Sequence, residues 1–409
     1  MRRAAIGIVL LALLVAPPGK SRQRQTCPRD QALGSVAFVR AGALRVVELA
    51  SCRERVLVRR DVTRPRFSAD GEFVAYGRGW VVPVAGGNPT RPLAADSVTW
   101  APRGHILAGI TERRGVVVGG PDLTPRELLP DGWQAEHLVW SPDGNALAIV
   151  RPRVGEPERP TKEIWLVDVA GGHAQRIAGL LPRTQSPAVV GFSPDGDWLL
   201  WLSIFEPSVS SNLDGVPLVA MHIADGTVVS VAPHVLRADY LTWCGNRLIA
   251  AAGADRYTTH GKRLVVAVPP LWRLASLSGH PSRSWISPVC APDGRWVAAS
   301  AGRNWVERRF GLEHRAIWLL SASGDSRRRL TSPPAGVTDE LPRWAADSRS
   351  ILFVRTTPVG SFLTARGSLH VVRRDGTLVG PIADLGTTRN YYGQYGWADQ
   401  ADWYRPRVR

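Results

Sequence analysis

The sequence predicts an all-β fold, a single β-propeller whose blades each contain four strands. Three observations support this prediction: a hairpin motif recurs along the 409 residues, successive copies lie 33 to 54 residues apart, and no helical periodicity separates them. A period of this length is typical of propeller blades, which close into a ring. The copies predict eight blades, or seven if an early repeat is merged or the last copy is not a strand.

Each copy places one large side chain, the anchor, at the end of an apolar strand and just before a tight turn. The clearest version is Trp140-Ser141-Pro142-Asp143-Gly144, which an apolar strand follows at 146–149. Large aromatic side chains of this kind are expected to pack between neighbouring sheets. One copy has a cysteine at the anchor position. The anchors in chain order are Phe67, Trp100, Trp140, Phe192, Trp243, Cys290, Trp344 and Trp397.

The turns of the motif have a simple physical basis. Asp-Gly is a strong signal for a tight turn between two strands, because glycine adopts positive φ without steric cost. A preceding proline fixes its own φ and ends the first strand. The turn residues with this role are Asp70, Gly71, Asp143, Gly144, Asp195, Gly196, Asp293 and Gly294. They are structural residues and indicate no active site.

A second hairpin follows each motif. Apolar stretches at 164–168, 218–221, 316–320 and 369–372 are each followed by a glycine-containing turn. Two hairpins per period give the four strands of a blade.

The two chain ends are expected to share one blade. Residues 36–40, 44–48 and 55–58 have the pattern of three strands that lack an anchored first strand, and the last copy, at Trp397, is expected to supply it. This pairing would cover sheet edges that are otherwise exposed. The propeller is therefore predicted to extend over 34–405.

The aromatic-Ser-Pro-Asp-Gly hairpins resemble the repeats of TolB-type propellers, and similar repeats occur in the propeller domains of prolyl oligopeptidase and dipeptidyl peptidase relatives. The resemblance covers about 34 to 405. It implies a propeller fold and transfers no functional residue. Two departures argue against the functions of those families: only strands and a tether precede Phe67, where TolB has an α/β domain, and the chain contains no G-x-S-x-G nucleophile motif.

The N-terminus predicts export. Met1-Arg2-Arg3 precedes an apolar stretch at 4–16, which is typical of a signal peptide, or of an uncleaved N-terminal anchor, since prolines follow directly. Residues 17–33 are predicted to form a polar tether. The expected location is the periplasm, the cell envelope or the extracellular space.

The four cysteines allow three disulfide connectivities. Cys27 and Cys52 flank the first strands and are the expected pair. Cys244 and Cys290 lie at nearly equivalent positions of neighbouring repeats, which would bring them close together. A second disulfide and two buried free thiols are equally compatible with these positions.

No motif indicates catalysis, a cofactor or a metal. The sequence contains no C-x-x-C pair, no H-E-x-x-H and no P-loop, and its nine histidines are scattered. The net charge of +16 comes almost entirely from arginine and is interpreted as a basic surface without specific nucleic-acid binding. Five longer inserts between predicted second and third strands indicate a binding face: 151–161, 205–215, 252–262, 302–314 and 356–367.

These observations favour an exported, non-catalytic, monomeric binding or scaffolding module for a protein or envelope polymer, with membrane contact only through an uncleaved N-terminal segment. The alternative is a propeller hydrolase or lyase that acts on extracellular polysaccharide or peptide at the central funnel.

Overall fold

The computed structural model describes residues 27–153, 162–178, 185–205, 215–235, 237–258, 260–279, 281–304, 314–359, 361–391 and 394–406. Strands account for most of them, and helix is limited to two 3-10 turns, Gln31–Leu33 and Ala238–Tyr240, and one short α-helix, α1 (Trp397–Gln400). The predicted all-β class is confirmed. The signal peptide or anchor predicted at 1–16 lies outside the described residues.

The strands of the first half of the chain follow one another in short antiparallel hairpins. They are β1 (Ser35–Arg40), β2 (Ala43–Glu48), β3 (Arg53–Val58), β4 (Arg66–Phe67), β5 (Phe73–Tyr76), β6 (Trp80–Pro83), β7 (Ala95–Trp100), β8 (Leu107–Thr111), β9 (Val116–Gly120), β10 (Leu123–Leu129), β11 (His137–Trp140), β12 (Ala146–Pro152), β13 (Lys162–Asp168), β14 (Ala174–Ala178), β15 (Gln185–Phe192) and β16 (Trp198–Phe205).

The second half continues the same arrangement. Its strands are β17 (Val216–His222), β18 (Val228–Val235), β19 (Leu241–Cys244), β20 (Arg247–Ala252), β21 (Arg263–Ala267), β22 (Ala275–Ser276), β23 (Arg283–Cys290), β24 (Trp296–Arg303), β25 (Ala316–Ser321), β26 (Arg327–Arg329), β27 (Thr338–Trp344), β28 (Ser350–Val359), β29 (Ser361–Arg373), β30 (Leu378–Tyr391), β31 (Gln394–Tyr395) and β32 (Ala401–Tyr404).

Within the described ranges these strands form eight blades. Blade 1 contains β32 and β1–β3, blade 2 contains β4–β6, and blades 3 to 8 begin at β7, β11, β15, β19, β23 and β27. Blades 5 and 6 form one continuous sheet, because Val235 at the end of β18 pairs with Ala252 at the end of β20. The eight-bladed prediction therefore agrees with the strand pairing.

The chain ends close the ring, as predicted. Strand β32 pairs antiparallel with β1, and Trp403 lies opposite Val36. The residue that fills the anchor position of this blade is Trp403 and not Trp397, which is a correction to the sequence-based assignment. The carboxylate of Asp402, directly before Trp403, accepts a hydrogen bond of 2.8 Å from the backbone N–H of the next blade's anchor, Phe67.

Trp397 belongs to α1, directly before the closing strand. Its side chain is 1% exposed, and its indole N–H donates to Thr356 Oγ1 of blade 8 at 3.0 Å. The spacing between anchors predicted that Trp397 lies in the closing strand. The chain instead forms one helical turn at this point, and the closing strand begins at 401.

The Ser-Pro-Asp-Gly turn is fixed by side-chain hydrogen bonds. The hydroxyl of Ser141 donates to Asp143 at 2.5 Å and accepts from the N–H of Ala146 at 2.9 Å, while Asp143 accepts from the N–H of Asn145 at 3.0 Å. Gly144 has a φ of 78°. The hydrogen bonds from Ser141 and from the Asn145 N–H lower the pKa of Asp143. The same contacts recur at Ser68-Asp70 and Ser193-Asp195.

Anchor tryptophans join neighbouring blades by hydrogen bonds. In three blades the indole N–H of the anchor donates to the backbone carbonyl directly before the anchor of the preceding blade. The pairs are Trp100 with Arg66 at 2.9 Å, Trp140 with Thr99 at 3.2 Å and Trp344 with Val289 at 3.0 Å.

The hydrophobic core lies between neighbouring blades. Between blades 7 and 8, for example, Ile317 and Leu319 pack with Trp344, Ile351 and Phe353, all nearly inaccessible to solvent. Burying side chains of this size contributes roughly 1.5–3 kcal/mol each. The repeated motif thus produces a repeated interface.

All four cysteines are in disulfides. Cys27 is joined to Cys52 and pins the segment before β1 to the β2–β3 connection. Cys244 is joined to Cys290, which links blade 6 to blade 7 and excludes the two free thiols. Leu33 is 1% exposed, so the end of the expected tether packs against the propeller.

Four of the five predicted inserts lie between the second and third strands of a blade, as expected, in blades 4 to 7. Parts of each, 154–161, 206–214, 259 and 305–313, are outside the described residues. The fifth, 356–367, is not a loop, because β28 and β29 continue as a hairpin in which Thr356 pairs with Gly367.

Candidate functional site

The first strands of the blades surround the central channel. Contacts join β7 with β11, β11 with β15, β19 with β23, β23 with β27, and β32 with β4. Backbone and side chains near the anchors therefore converge on one axis, as in other propellers. The Ser-Pro-Asp-Gly turns all leave the first strands at the same end, which is called here the turn end of the channel.

Arginines and aspartates lie together along this channel. Arg66, Arg343 and Asp402 each directly precede an anchor position, on blades 2, 8 and 1. Burial lowers the pKa of Arg343, and the nearby charges of Asp239 and Asp402 oppose that effect. These side chains thus interact across the channel, although their sequence positions lie far apart.

The channel aspartates are already paired. Asp239 accepts two hydrogen bonds from the guanidinium of Arg237, at 2.7 and 3.3 Å. Asp399, on α1, lies 3.8 Å from both Arg64 and Arg66. Asp402 binds the backbone N–H of blade 2, as described above. The oxygens of these carboxylates are therefore already engaged by arginines and by a backbone N–H.

Glu340 differs from these aspartates, because it is buried at the start of β27. Its Oε1 accepts from the hydroxyl of Thr356 at 2.8 Å, and its Oε2 lies 3.4 Å from Arg315. Arg315 also donates to Thr258 at 2.6 Å. Burial raises the pKa of Glu340 to about 7, against the opposing charge of Arg315.

An open pocket of about 790 Å³ lies at the turn end of the channel, which we call the mouth pocket. This volume is within the range of small-molecule sites, roughly 300–1,000 Å³. It is formed by the first strands and turns of blades 6, 7 and 8 and by the end of the chain. Its walls are Thr242, Trp243, Gly245, Val289, Cys290, Ala291, Pro292, Gly294, Ala346, Arg405 and Pro406.

One group among the described residues has the composition of a metal site. Asp70, Glu72 and His105 meet where blade 2 contacts blade 3. His105 Nδ1 lies 2.7 Å from Asp70, and its Nε2 lies 3.3 Å from Asp122. Both ring nitrogens therefore already have carboxylate partners, and a cation would have to displace one of them.

The structure brings some of the sequence-derived residues together and leaves others apart. Trp243, Cys290 and Gly294 meet in the mouth pocket. Asp143, Phe192, Asp195 and Gly196 line a separate pocket of about 360 Å³ between blades 4 and 5. Asp70 contacts His105 of the next blade. Arg405 was missed, because it follows the last strand and no local pattern marks it. The cysteine at an anchor position was a visible signal for the pocket.

Comparisons with known proteins identify the architecture. The chain is similar to dipeptidyl peptidase 4 of Porphyromonas gingivalis, with a TM-score of 0.57 and 12% identity over 89% of this chain and 58% of that chain. It is also similar to a eukaryotic initiation factor, with a TM-score of 0.55 and 13% identity over 94% of this chain and 91% of that one.

A third similar structure is an oligogalacturonate lyase in complex with manganese, with a TM-score of 0.51 and 15% identity over 85% of this chain and 96% of that chain. At these identities the likeness shows the fold alone: the protein is a β-propeller. No family model matches the chain, and no curated protein matches it. Membership of the TolB-type repeat family stays a prediction.

Proposed function

We propose that this protein is an exported, non-catalytic β-propeller that binds a protein or envelope polymer at the turn end of its channel. The mouth pocket carries this proposal, because it is an open concave site that combines an aromatic wall, Trp243, with a cation, Arg405. Its walls contain no carboxylate or histidine among the described residues. Such a site offers binding contacts and no acid–base pair.

Export is supported by the two disulfides, since disulfides persist in oxidising compartments. The charged and apolar pattern at 1–16 is the second support. No helix in the described ranges has both the length and the apolar character required to cross a bilayer.

The proposal is tested by blocking the pocket with one side chain. Ala346 lines it, and Ala69 occupies the corresponding turn position of blade 2, where it is exposed and away from the pocket. Immobilised wild-type protein is incubated with envelope extract, with polygalacturonate and poly-glutamate, and with poly-lysine as the opposite charge. We expect Ala346→Trp to lose a ligand that wild type and Ala69→Trp both retain. If all three proteins retain the same ligands, or none binds any, the proposal is wrong.

Glu340 favours a second candidate function, a propeller hydrolase or lyase, because this buried carboxyl lies between the Thr356 hydroxyl and the Arg315 guanidinium. A carboxyl with a pKa of about 7 can both donate and accept a proton at neutral pH. The test is incubation with polygalacturonate and with peptide mixtures, followed by measurement of new reducing or unsaturated ends and of new amines. Turnover that Glu340→Gln abolishes would establish this candidate and overturn the non-catalytic one.

A further inference from the structure

The anchor of blade 7 departs from the pattern that joins blades 3, 4 and 8 to the blades before them. In blades 3, 4 and 8 an anchor tryptophan spans the gap to the preceding blade and binds a carbonyl there. In blade 7 the same position is Cys290, which pairs with Val297 just as Trp344 pairs with Ile351. Its short side chain forms a disulfide with Cys244, so no indole fills this gap.

The carbonyl that such an indole would bind belongs to Thr242. Thr242 directly precedes the blade 6 anchor and pairs with Ile249 on the second strand of its blade. Val289 has the same place in blade 7, where it pairs with Ala298. The Val289 carbonyl accepts the indole N–H of Trp344, so the Thr242 carbonyl has the equivalent position on the channel side of its strand. Both Thr242 and Cys290 line the mouth pocket. The pocket thus includes the space that an anchor ring occupies elsewhere.

The other walls add an aromatic surface and a positive charge. Trp243 is packed edge-on against Trp272, with ring centroids 6.1 Å apart, which limits its freedom to move. Arg405 is held by a hydrogen bond of 3.1 Å to the Trp344 carbonyl. A guanidinium has five N–H donors, so others remain for an anion.

We propose that the mouth pocket binds a planar aromatic ring that bears an N–H or O–H donor and lies next to an anionic group. The ring takes the place of the absent anchor, its donor binds the Thr242 carbonyl, and the anion binds Arg405. Indole and phenol carboxylates have this chemistry, and so does a tryptophan or tyrosine beside an acidic residue in a peptide. This inference rests on the proposed function, whose ligand chemistry it specifies.

The first test measures ligand preference by calorimetry with the intact protein. N-acetyl-tryptophan should bind, and the neutral N-acetyl-tryptophanamide should bind about tenfold more weakly, because it lacks the anion. Methylation of the indole nitrogen should weaken binding about three- to tenfold. N-acetyl-alanine should show no binding. A blocked Trp-Glu peptide that binds more tightly than N-acetyl-tryptophan would assign the site to peptides, and the reverse order would assign it to small aromatic acids.

The second test uses paired variants. Arg405→Ala should remove the preference for acid over amide, whereas Arg103→Ala, at an exposed turn of blade 3, should leave it unchanged. Cys244→Ala with Cys290→Trp should fill the pocket and abolish binding. Cys244→Ala with Cys290→Ala also lacks the disulfide but leaves the space open, and should retain binding.

Equal binding of N-acetyl-alanine and N-acetyl-tryptophan, or equal binding by the two double variants, would overturn the inference. If Ala346→Trp still loses an envelope ligand while no aromatic probe binds, the proposed function survives and the ligand chemistry is wrong. If no probe and no extract component binds, both fail.

Discussion

The indole nitrogen of Trp344 lies 3.0 Å from the carbonyl oxygen of Val289, so the anchor of blade 8 is hydrogen-bonded to the first strand of blade 7. The contact recurs between blades 2 and 3 and between blades 3 and 4. At these three anchors the indole both fills the gap and satisfies a backbone group next to the channel, which the phenylalanine anchors Phe67 and Phe192 cannot do.

Replacing Trp344 by phenylalanine should therefore destabilise the protein through the lost hydrogen bond as well as the lost volume. The matched control is Trp201→Phe, because Trp201 is equally buried and its indole N–H has no partner among the described residues. We expect Trp344→Phe to lower the free energy of unfolding by about 1–3 kcal/mol more than Trp201→Phe in urea titrations. Equal losses would show that the hydrogen bond contributes nothing.

Removal of the closing strand should expose the edge of β1. A chain that ends at Gln400 lacks β32 and with it Trp403, which is partly buried against the core shared by blades 1 and 8. The lost packing is therefore smaller than the roughly 3–5 kcal/mol of a fully buried tryptophan, but it adds to the exposed edge, against a typical stability of roughly 5–15 kcal/mol. The control chain ends at Pro406. We expect the shorter chain to aggregate or to melt well below the control in thermal unfolding with light scattering. Matching melting curves would contradict closure by the chain ends.

Two glycines with the same backbone conformation should differ in their tolerance of alanine. Gly71 and Gly144 have φ of 77° and 78°. A Cβ on Gly71 would lie 2.5 Å from the ring of Tyr404, whereas one on Gly144 would lie 3.6 Å from Pro102. Both variants bear the cost of positive φ, about 1–2 kcal/mol, and overpacking adds about 1–3 kcal/mol to Gly71→Ala. Urea unfolding measures both, and equal losses would mean that Tyr404 moves aside freely.

Glu340 should make stability depend on pH. Its ordinary pKa is 4.5, and burial raises it to about 7 in the folded protein. The folded state then binds more protons than the unfolded chain between these values, so this contribution is complete below pH 4.5 and is lost as the pH rises through 7. The total loss is about 3 kcal/mol.

Glu340→Gln should lack this decline. The free energy of unfolding of the variant minus that of wild type should rise between pH 4.5 and 7 and stay constant below and above this range. Urea titrations at a series of pH values measure this difference. The pH range below 4.5 is the internal control, since wild type is then protonated at this position. A constant difference across the whole range would show that Glu340 is charged in the folded state at neutral pH.

The sequence by itself predicted the propeller, with eight or seven blades, and its closure by the chain ends. Asp143-Gly144 and the anchor Trp140 are local signals, and a repeated local signal fixes a repeated supersecondary unit. It also located β1, β2 and β3, the strands that the N-terminus contributes to the shared blade. It failed at Trp397, because one helical turn before the last strand leaves no mark in an aromatic spacing.

Tertiary structure alone decided the site. Arg343, Asp402 and Arg66 come from three blades, and Arg405 reaches the mouth pocket from the end of the chain, so no local pattern records that they meet. Cys290 was visible as an odd anchor, but only the structure shows its disulfide to Cys244 and the pocket that Cys290 lines. Turns and strands follow from neighbours in sequence, whereas a channel lining follows from ring closure, which brings distant residues to one axis.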